Sequence, residues 1–303
     1  MMKIIVTHSS PDLDAIASVW LVRKFLPGWE NAIVKFVAAG ERIDKGKWKN
    51  SDESALIERI EDNDVIHVDT GLGPLDHHQI LSDKVSAASL AWNFIKTKNK
   101  ELKAAGSEKI KNRTEAVSRM VQVIVDFDHF KEIFQKDTLA DYHEFNLINI
   151  LEGLEFQFPG KDDYSMEFVG KVLDAILHEF ENRIWAEKEI SRVGIKFQTR
   201  FGQGMGLETI NDSTIKLAQK MGYMIVARKD PRKGYVRIKA MPATKKINID
   251  LTPVYKKLKD LDSDATWYLH VSRKMLLNGS TKNPEFRPTK LALNEIIRLL
   301  ERI

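Results

Sequence analysis

The run Met2–Val6, MKIIV, is almost continuously apolar and ends at a polar turn, Thr7-His8-Ser9-Ser10-Pro11-Asp12-Leu13-Asp14. An apolar run this short, without alternation, suits a strand buried on both faces of a parallel sheet. Past the turn, Ala15, Ile16, Val19, Val22 and Phe25 recur at helical spacing until Pro27-Gly28 stops them. Further strands are expected at 32–38 (AIVKFVA) and 64–68 (DVIHV). Strand, helix and strand in alternation predict an α/β fold: a doubly wound, mainly parallel sheet, followed by a second, smaller α/β C-terminal domain. Such sheets bind ligands at the carboxyl ends of their strands. His8 and Asp69 each fall just after a predicted strand, so they can meet there.

The 303 residues fit two domains of roughly 100–200 residues each. Helices are expected at 86–97, 114–127 and 142–153, with a Lys-rich loop or exposed helix ends at 98–113. A long helix over 165–192 carries Phe168, Val172, Ile176, Phe180 and Ile184 on one stripe. The boundary is placed at its end, giving domains 1–192 and 193–303. The second domain has expected strands at 194–199, 223–228, 235–240 and 266–271 and a helix at 214–221. Asp230–Gly234 forms a hairpin-like turn, and Pro288 opens a closing helix that runs through Leu300. Gly202-Gln203-Gly204-Met205-Gly206 lacks the strand–helix context of a dinucleotide loop and is expected to be a mobile loop. Trp20, Trp92 and Trp185 lie in helical apolar patterns and are expected in the core.

Composition narrows the chemistry. There is no cysteine, which excludes disulfides, thiolate zinc sites, iron–sulfur clusters and cysteine nucleophiles. Any metal must be held by His and carboxylate, which favours Mg²⁺, Mn²⁺ or Fe²⁺. With 47 basic and 43 acidic residues the net charge is +4, too small to prove a nucleic-acid partner. The opening residues lack a signal-peptide layout and no apolar run approaches 18 residues, so no membrane association and a cytoplasmic location are expected.

His8, Asp12 and Asp14 form H-x₃-D-x-D on one tight turn and can serve two adjacent ions, His8 and Asp12 facing one and Asp14 the other. Read alone, Asp12 is equally an N-cap and His8 a strand-end histidine. A second cluster at another strand end changes the balance: Asp69, then Asp76-His77-His78 after the turn Thr70-Gly71-Leu72-Gly73-Pro74. Asp69 can bridge two ions about 3.5–4 Å apart. A further ligand comes from Asp126-Phe127-Asp128-His129. Acids closing an apolar helical run oppose the helix dipole, and bound cations would compensate. Asp128 is preferred to Asp126 because it shares a face with Val125.

These residues carry a resemblance. HSSPDLDAIAS closely resembles the first motif of the DHH phosphoesterase superfamily, Asp69 and Asp76-His77-His78 its second and third, and Asp126 or Asp128 stands at its fourth. The short step from Asp69 to LDHHQ is similar to the melanocyte-proliferating-gene type, and the tail LHVSRKMLLNGSTKNP is loosely similar to that branch too. The first turn is closer to the oligonucleotide-cleaving members. The resemblance covers residues 1–130 and, loosely, the last forty. It implies a DHH domain, two divalent cations (Mn²⁺ or Mg²⁺) and a site in the cleft between two domains. His77 would bind metal, His78 would contact the phosphate or polarise the nucleophile, and Asp76 would orient a histidine.

The C-terminal domain is expected to grip substrate through His270, Arg273 and Lys274, followed by the Asn278-Gly279-Ser280 turn, whose backbone N–H groups can face phosphate. Arg228, Lys229, Arg232, Lys233 and Arg237 around the hairpin are either a phosphate-tracking patch or, the favoured reading, a solvated hairpin. The expected activity is a two-metal phosphodiesterase or exonuclease on short oligonucleotides or RNA 3′ ends, with nucleic acid or a nucleotide as partner. The alternatives are an inorganic pyrophosphatase or small nucleotide phosphatase, and a non-catalytic nucleic-acid-binding relative.

Overall fold

The computed structural model describes residues 2–48, 56–104, 106–279, 283 and 285–303. The chain divides into two compact units, 1–181 and 182–303.

The first unit contains β1 (Lys3–His8), α1 (Leu13–Phe25), β2 (Ile33–Val37), β3 (Glu58–Ile60), β4 (Asn63–His67), α2 (Ala87–Lys98), α3 (Lys100–Ala104), α4 (Glu108–Asp128) and α5 (Leu147–Gln157). Two 3₁₀ turns, Lys131–Phe134 and Asp141–Phe145, lie between α4 and α5. The following α6 (Asp162–Val193) contains the division between the units. The sheet order is β2-β1-β4-β3. β1 pairs in parallel with both β2 and β4, and β3 joins as an antiparallel edge that the sequence pattern did not reveal. Ile4, Val6 and Val65 pack together on one face, while Ile5 and Ile66 alternate to the other. α1 packs on β1 and also against α2 and α4. Leu13–Val22 is buried throughout, as a helix enclosed on all sides must be. With β2 and β4 on opposite sides of β1, the strand order reverses at β1. The carboxyl ends of β1 and β4 therefore open a crevice, and both lead into polar turns.

The helices are locally encoded. Asp12 caps α1 by accepting the Ala15 N–H at 2.9 Å, and Ser86 and Ser89 form a reciprocal capping box on α2. Ser107 caps α4, and of the two readings of the Lys-rich stretch, loop or exposed helix ends, the described residues form the second: α3 and the first turns of α4. On α6 the buried residues include Met166, Val169, Leu173, Leu177 and Ile184, while Phe168 is exposed and Val172, Ile176 and Phe180 are not among the buried core. Two apolar stripes run side by side on this helix at the same spacing, and the neighbouring one is buried.

The second unit contains β5 (Ile195–Thr199), β6 (Gly202–Glu208), α7 (Ser213–Lys220), β7 (Ile225–Lys229), β8 (Val236–Ala240), α8 (Thr252–Leu261), β9 (Trp267–Leu269), β10 (Met275–Asn278) and α9 (Leu293–Leu300). They build a sheet of order β5-β6-β7-β8-β10-β9 in which only β6 and β7 are parallel. Ile225 and Ala227 face a core shared with Val254 and Leu258 of α8 and Ile296 and Leu300 of α9. Val226 faces the opposite core, with Ile215 of α7 and Ile190 of α6.

Three expectations fail in this unit and its leading helix. The Gly202–Gly206 stretch is not a mobile loop but part of β6, inside the sheet. A Cβ on Gly204 would lie 2.3 Å from the Phe197 ring, so glycine serves close strand packing there. Pro288 does not open the closing helix, which begins at Leu293 with Ala292 at its cap. Trp185 is exposed, whereas Trp20 and Trp92 are buried, because Ile184 and Ala186 take the inner face of the helix.

Candidate metal centre

β1 delivers His8 at its last position, and the turn to α1 places Asp12 and Asp14 at the helix start. β4 ends at His67, and Asp69 follows in a left-handed conformation (φ 53°), as do Gly71 and Leu72. Left-handed backbone at two non-glycine residues is strained, and the surroundings must hold it. Asp76, fully buried, accepts the Leu72 N–H at 2.8 Å, and the Thr70 hydroxyl donates to the Glu41 carbonyl at 2.9 Å. Behind this loop lies a buried charged group. His67 donates from Nδ1 to Glu58 at 3.0 Å and accepts the Ile43 N–H at Nε2. Arg42 pairs with Glu58 and, at 3.1 Å, with Asp44. A Cβ on Gly71 would lie 2.9 Å from the Arg42 side chain, so only glycine lets the loop settle on this support.

The two turns converge. His8 Nε2 lies 3.3 Å from Asp69 Oδ2, while His77 Nε2 lies 3.5 Å from Asp69 Oδ1, 3.7 Å from Asp14 and 3.6 Å from Asp128. Asp69 thus has one oxygen toward each histidine. His8, Asp12 and Asp69 form one group able to hold an ion. Asp69, His77 and His78 form another, and His77, Asp128 and His129 a third. Asp14 is fully buried and accepts the N–H groups of Ala87 and Ala88 at 2.7 and 2.9 Å, so the start of α2 orients it. Asp126 is not in the cluster: it faces Gln122 and Lys131.

Asp76 binds His78 Nδ1 at 2.7 Å and its N–H at 3.1 Å, fixing a histidine that is otherwise exposed. His129, which the sequence reading did not single out, donates from Nε2 to the Val85 carbonyl at 2.9 Å. In the neutral ring that leaves its Nδ1 without the proton. Its only signal in the sequence was adjacency to Asp128.

The electrostatics calls for positive charge. Burial, then Asp69 and Asp128, hold the Asp14 carboxyl well above its usual range, and burial likewise raises Asp128. Burial opposes a proton on His8, yet its contacts with Asp69 and the Ser9 carbonyl raise it to about 9. His77 rises to about 9 through Asp69, against burial, with Asp128 and Asp14 adding to the effect. Burial would raise Asp69, but His77 and His8 bring it down to about 2. Two buried carboxylate oxygens, Asp69 Oδ1 and Asp128 Oδ2, accept no hydrogen bond. Both lie beside His77. Orphaned anionic oxygens facing imidazole nitrogens are the donor set of a hard-to-borderline divalent cation.

Of the substrate-binding residues expected in the C-terminal unit, His270, Arg273 and Lys274 share the turn between β9 and β10, while Asn278 and Gly279 stand at the other end of β10. His270 and Arg273 occupy the turn between β9 and β10, with Arg273 left-handed (φ 57°) and paired to Asp250 at 3.1 Å. His270 Nδ1 accepts from Ser272. Lys274 is spent on Asn248 and the Ile249 carbonyl. Asn278 sits at the other end of β10, about 13 Å away for four residues of strand. It is fully buried: its amide donates to the Thr266 and Arg287 carbonyls and its oxygen accepts the Thr289 N–H. With its side chain used internally, it braces the sheet and has no group left for a ligand. Gly279 (φ 80°) is required because a Cβ would lie 2.0 Å from the Tyr235 ring. Ser280 lies outside the described residues. On the hairpin, Arg228 and Arg237 both pair with Asp212, so part of that basic patch is neutralised internally.

No family model matches the chain, and no curated protein matches it. One solved structure similar to it is described as a member of a family of ribosomal proteins, with a DHH domain. It is 11% identical, aligned over 100% of this chain and 88% of that one with a TM-score of 0.32. A likeness this slight carries no argument about fold or activity. The mixed α/β architecture and the Asp/His groups able to hold metal rest on the chain's own geometry. Among the described residues no helix is long and apolar enough to cross a membrane.

Proposed function

We propose that the chain is a two-metal phosphoesterase of the DHH type, acting on phosphodiester bonds of short oligonucleotides. The observation that carries this reading is Asp69, buried at the end of β4 with its two oxygens divided between His8 and His77. A carboxylate so placed could be shared by two cations, of which His8 and Asp12 would help hold one and Asp14, His77 and Asp128 the other. Divalent cations held there would acidify a bound water toward neutrality and offset charge on the phosphoryl oxygens. The chain's own residues supply the rest. Asp76 fixes His78 toward solvent, where its Nε2 can meet a substrate phosphate. The N–H groups of Ala87 and Ala88 keep Asp14 in place, and Arg42, Glu58 and His67 hold the strained turn that presents Asp69.

The oligonucleotide is favoured over a small phosphoanhydride by charge. Residues 182–303 carry 25 Lys and Arg against 12 Asp and Glu, the balance of a surface that meets a polyanion. The test is Mn²⁺ binding and Mn²⁺-dependent cleavage of an end-labelled RNA pentamer by wild type and Asp69→Asn, beside inorganic pyrophosphate. The isosteric change is expected to lower Mn²⁺ affinity and cleavage by more than about 100-fold, beyond the 10–100-fold of a residue that only orients a ligand. Unchanged Mn²⁺ affinity would overturn the bridging role. Cleavage of pyrophosphate alone would reject the oligonucleotide.

A further inference from the structure

Between α4 and α6 the chain carries an unusual surface. Phe130, Phe134, Phe145 and Phe156 are all largely exposed, Phe156 at 90%. Large aromatics exposed this often in one short segment mark it as a candidate contact surface. The segment 129–163 also holds eight Asp and Glu against three Lys. It is therefore no track for a phosphate backbone, and its ligand must be apolar or rich in hydrogen-bond donors.

One part of this segment forms a pocket. A cavity of about 250 Å³ lies between the Ser10 turn and the loop following α5, walled by Phe156 and Phe158 with Glu155 and Lys161 at its edge. Ser10 is left-handed (φ 48°) and lies on the turn that also carries His8 and Asp12, so the pocket and the Asp/His cluster share that turn. Phe158 is steadied by an edge-on contact with Tyr164 at 5.0 Å. The volume suits one sugar and base rather than a longer chain.

We propose that this pocket is a nucleoside subsite that receives the ribose and base on one side of the phosphate held at the metal centre. Phe156 and Phe158 provide stacking faces, and Glu155 accepts hydrogen bonds from sugar hydroxyls or an exocyclic amine. The assignment rests on the phosphoesterase reading, and it adds a source of selectivity that the metal ligands cannot supply, since they see only a phosphoryl group.

The test uses the full chain and three readouts: Mn²⁺ affinity, KM for a diribonucleotide, and equilibrium binding of 2-aminopurine riboside 5′-monophosphate followed by its fluorescence. Phe156→Ala and Phe158→Ala should raise KM by about 5- to 150-fold, the range for losing one base–aromatic stack. They should weaken the fluorescent nucleotide in parallel, with Mn²⁺ affinity unchanged. Phe156 is solvent-exposed, so its substitution does not threaten folding. If the wild type cleaves the dinucleotide and both variants keep its KM, the subsite is wrong and the phosphoesterase reading stands. If no phosphodiester is cleaved, that reading falls and nucleotide binding decides alone: binding lost in Phe156→Ala upholds the pocket, and no binding by the wild type rejects it.

Discussion

Asp12, Asp14, Asp69 and Asp128 converge on His8 and His77, and without cations the two imidazoles carry the compensating charge. Their pKa values near 9 lie above the ordinary 6.5, so both bind protons more tightly in the native state than in the unfolded chain. The stability they lend is complete below pH 6.5 and is lost as the pH rises through about 9. In EDTA, the urea midpoint is therefore expected to fall between pH 6.5 and 9. Saturating Mn²⁺ should abolish that fall, because the cations bind the deprotonated imidazoles. A flat midpoint in EDTA over this range would refute the charge assignment. The residues that meet in the Asp/His cluster were legible in the sequence because they stand at strand ends in short spacings. What could not be read was the support: Arg42, Glu58 and His67 meet only once β3 pairs with β4, and Asp14 finds Ala87 and Ala88 across more than seventy residues.

At the scale of elements, β6 shows why the sequence misled. Gly202, Gly204 and Gly206 have turn-like composition, yet the strand pairs with Ile195–Thr199 on one side and β7 on the other. The glycines admit side chains from neighbours, with the Phe197 ring over Gly204 and Ile297 over Gly206. Gly204→Ala is expected to destabilise the protein by about 1–3 kcal/mol through overpacking. The urea midpoint should drop while Mn²⁺ affinity is retained. An unchanged midpoint would mean that the Phe197 ring moves aside freely. The long helix offers the same lesson in milder form. Periodicity identified it, but its two parallel apolar stripes differ only in what packs against them, and tertiary contacts chose Leu173 and Leu177 over Val172 and Ile176. Asn278 is a third case: a polar residue before glycine looks like a ligand turn, while its amide closes three hydrogen bonds inside the fold.

At the scale of the whole chain, the modest charge of +4 conceals a division. Residues 1–181 carry 22 Lys and Arg against 31 Asp and Glu, whereas residues 182–303 carry 25 against 12. The acidic excess belongs with the unit that holds the Asp/His cluster, and the proposed oligonucleotide would meet the basic excess of the other. Binding that releases counterions weakens with salt in proportion to the phosphates engaged, with a logarithmic slope near about −0.7 per phosphate for single strands. A decanucleotide engaging the basic unit should lose affinity steeply between about 50 and 300 mM salt, while a dinucleotide, held chiefly at the metal centre, should change little. Arg232→Glu with Lys233→Glu would reverse two charges on the hairpin between β7 and β8, where Arg232 is largely exposed. That double variant is expected to flatten the decanucleotide slope and leave the dinucleotide KM in place. Equal salt slopes for the two lengths would instead place all the electrostatic contact at the metal centre. The basic excess of residues 182–303 would then need a different partner.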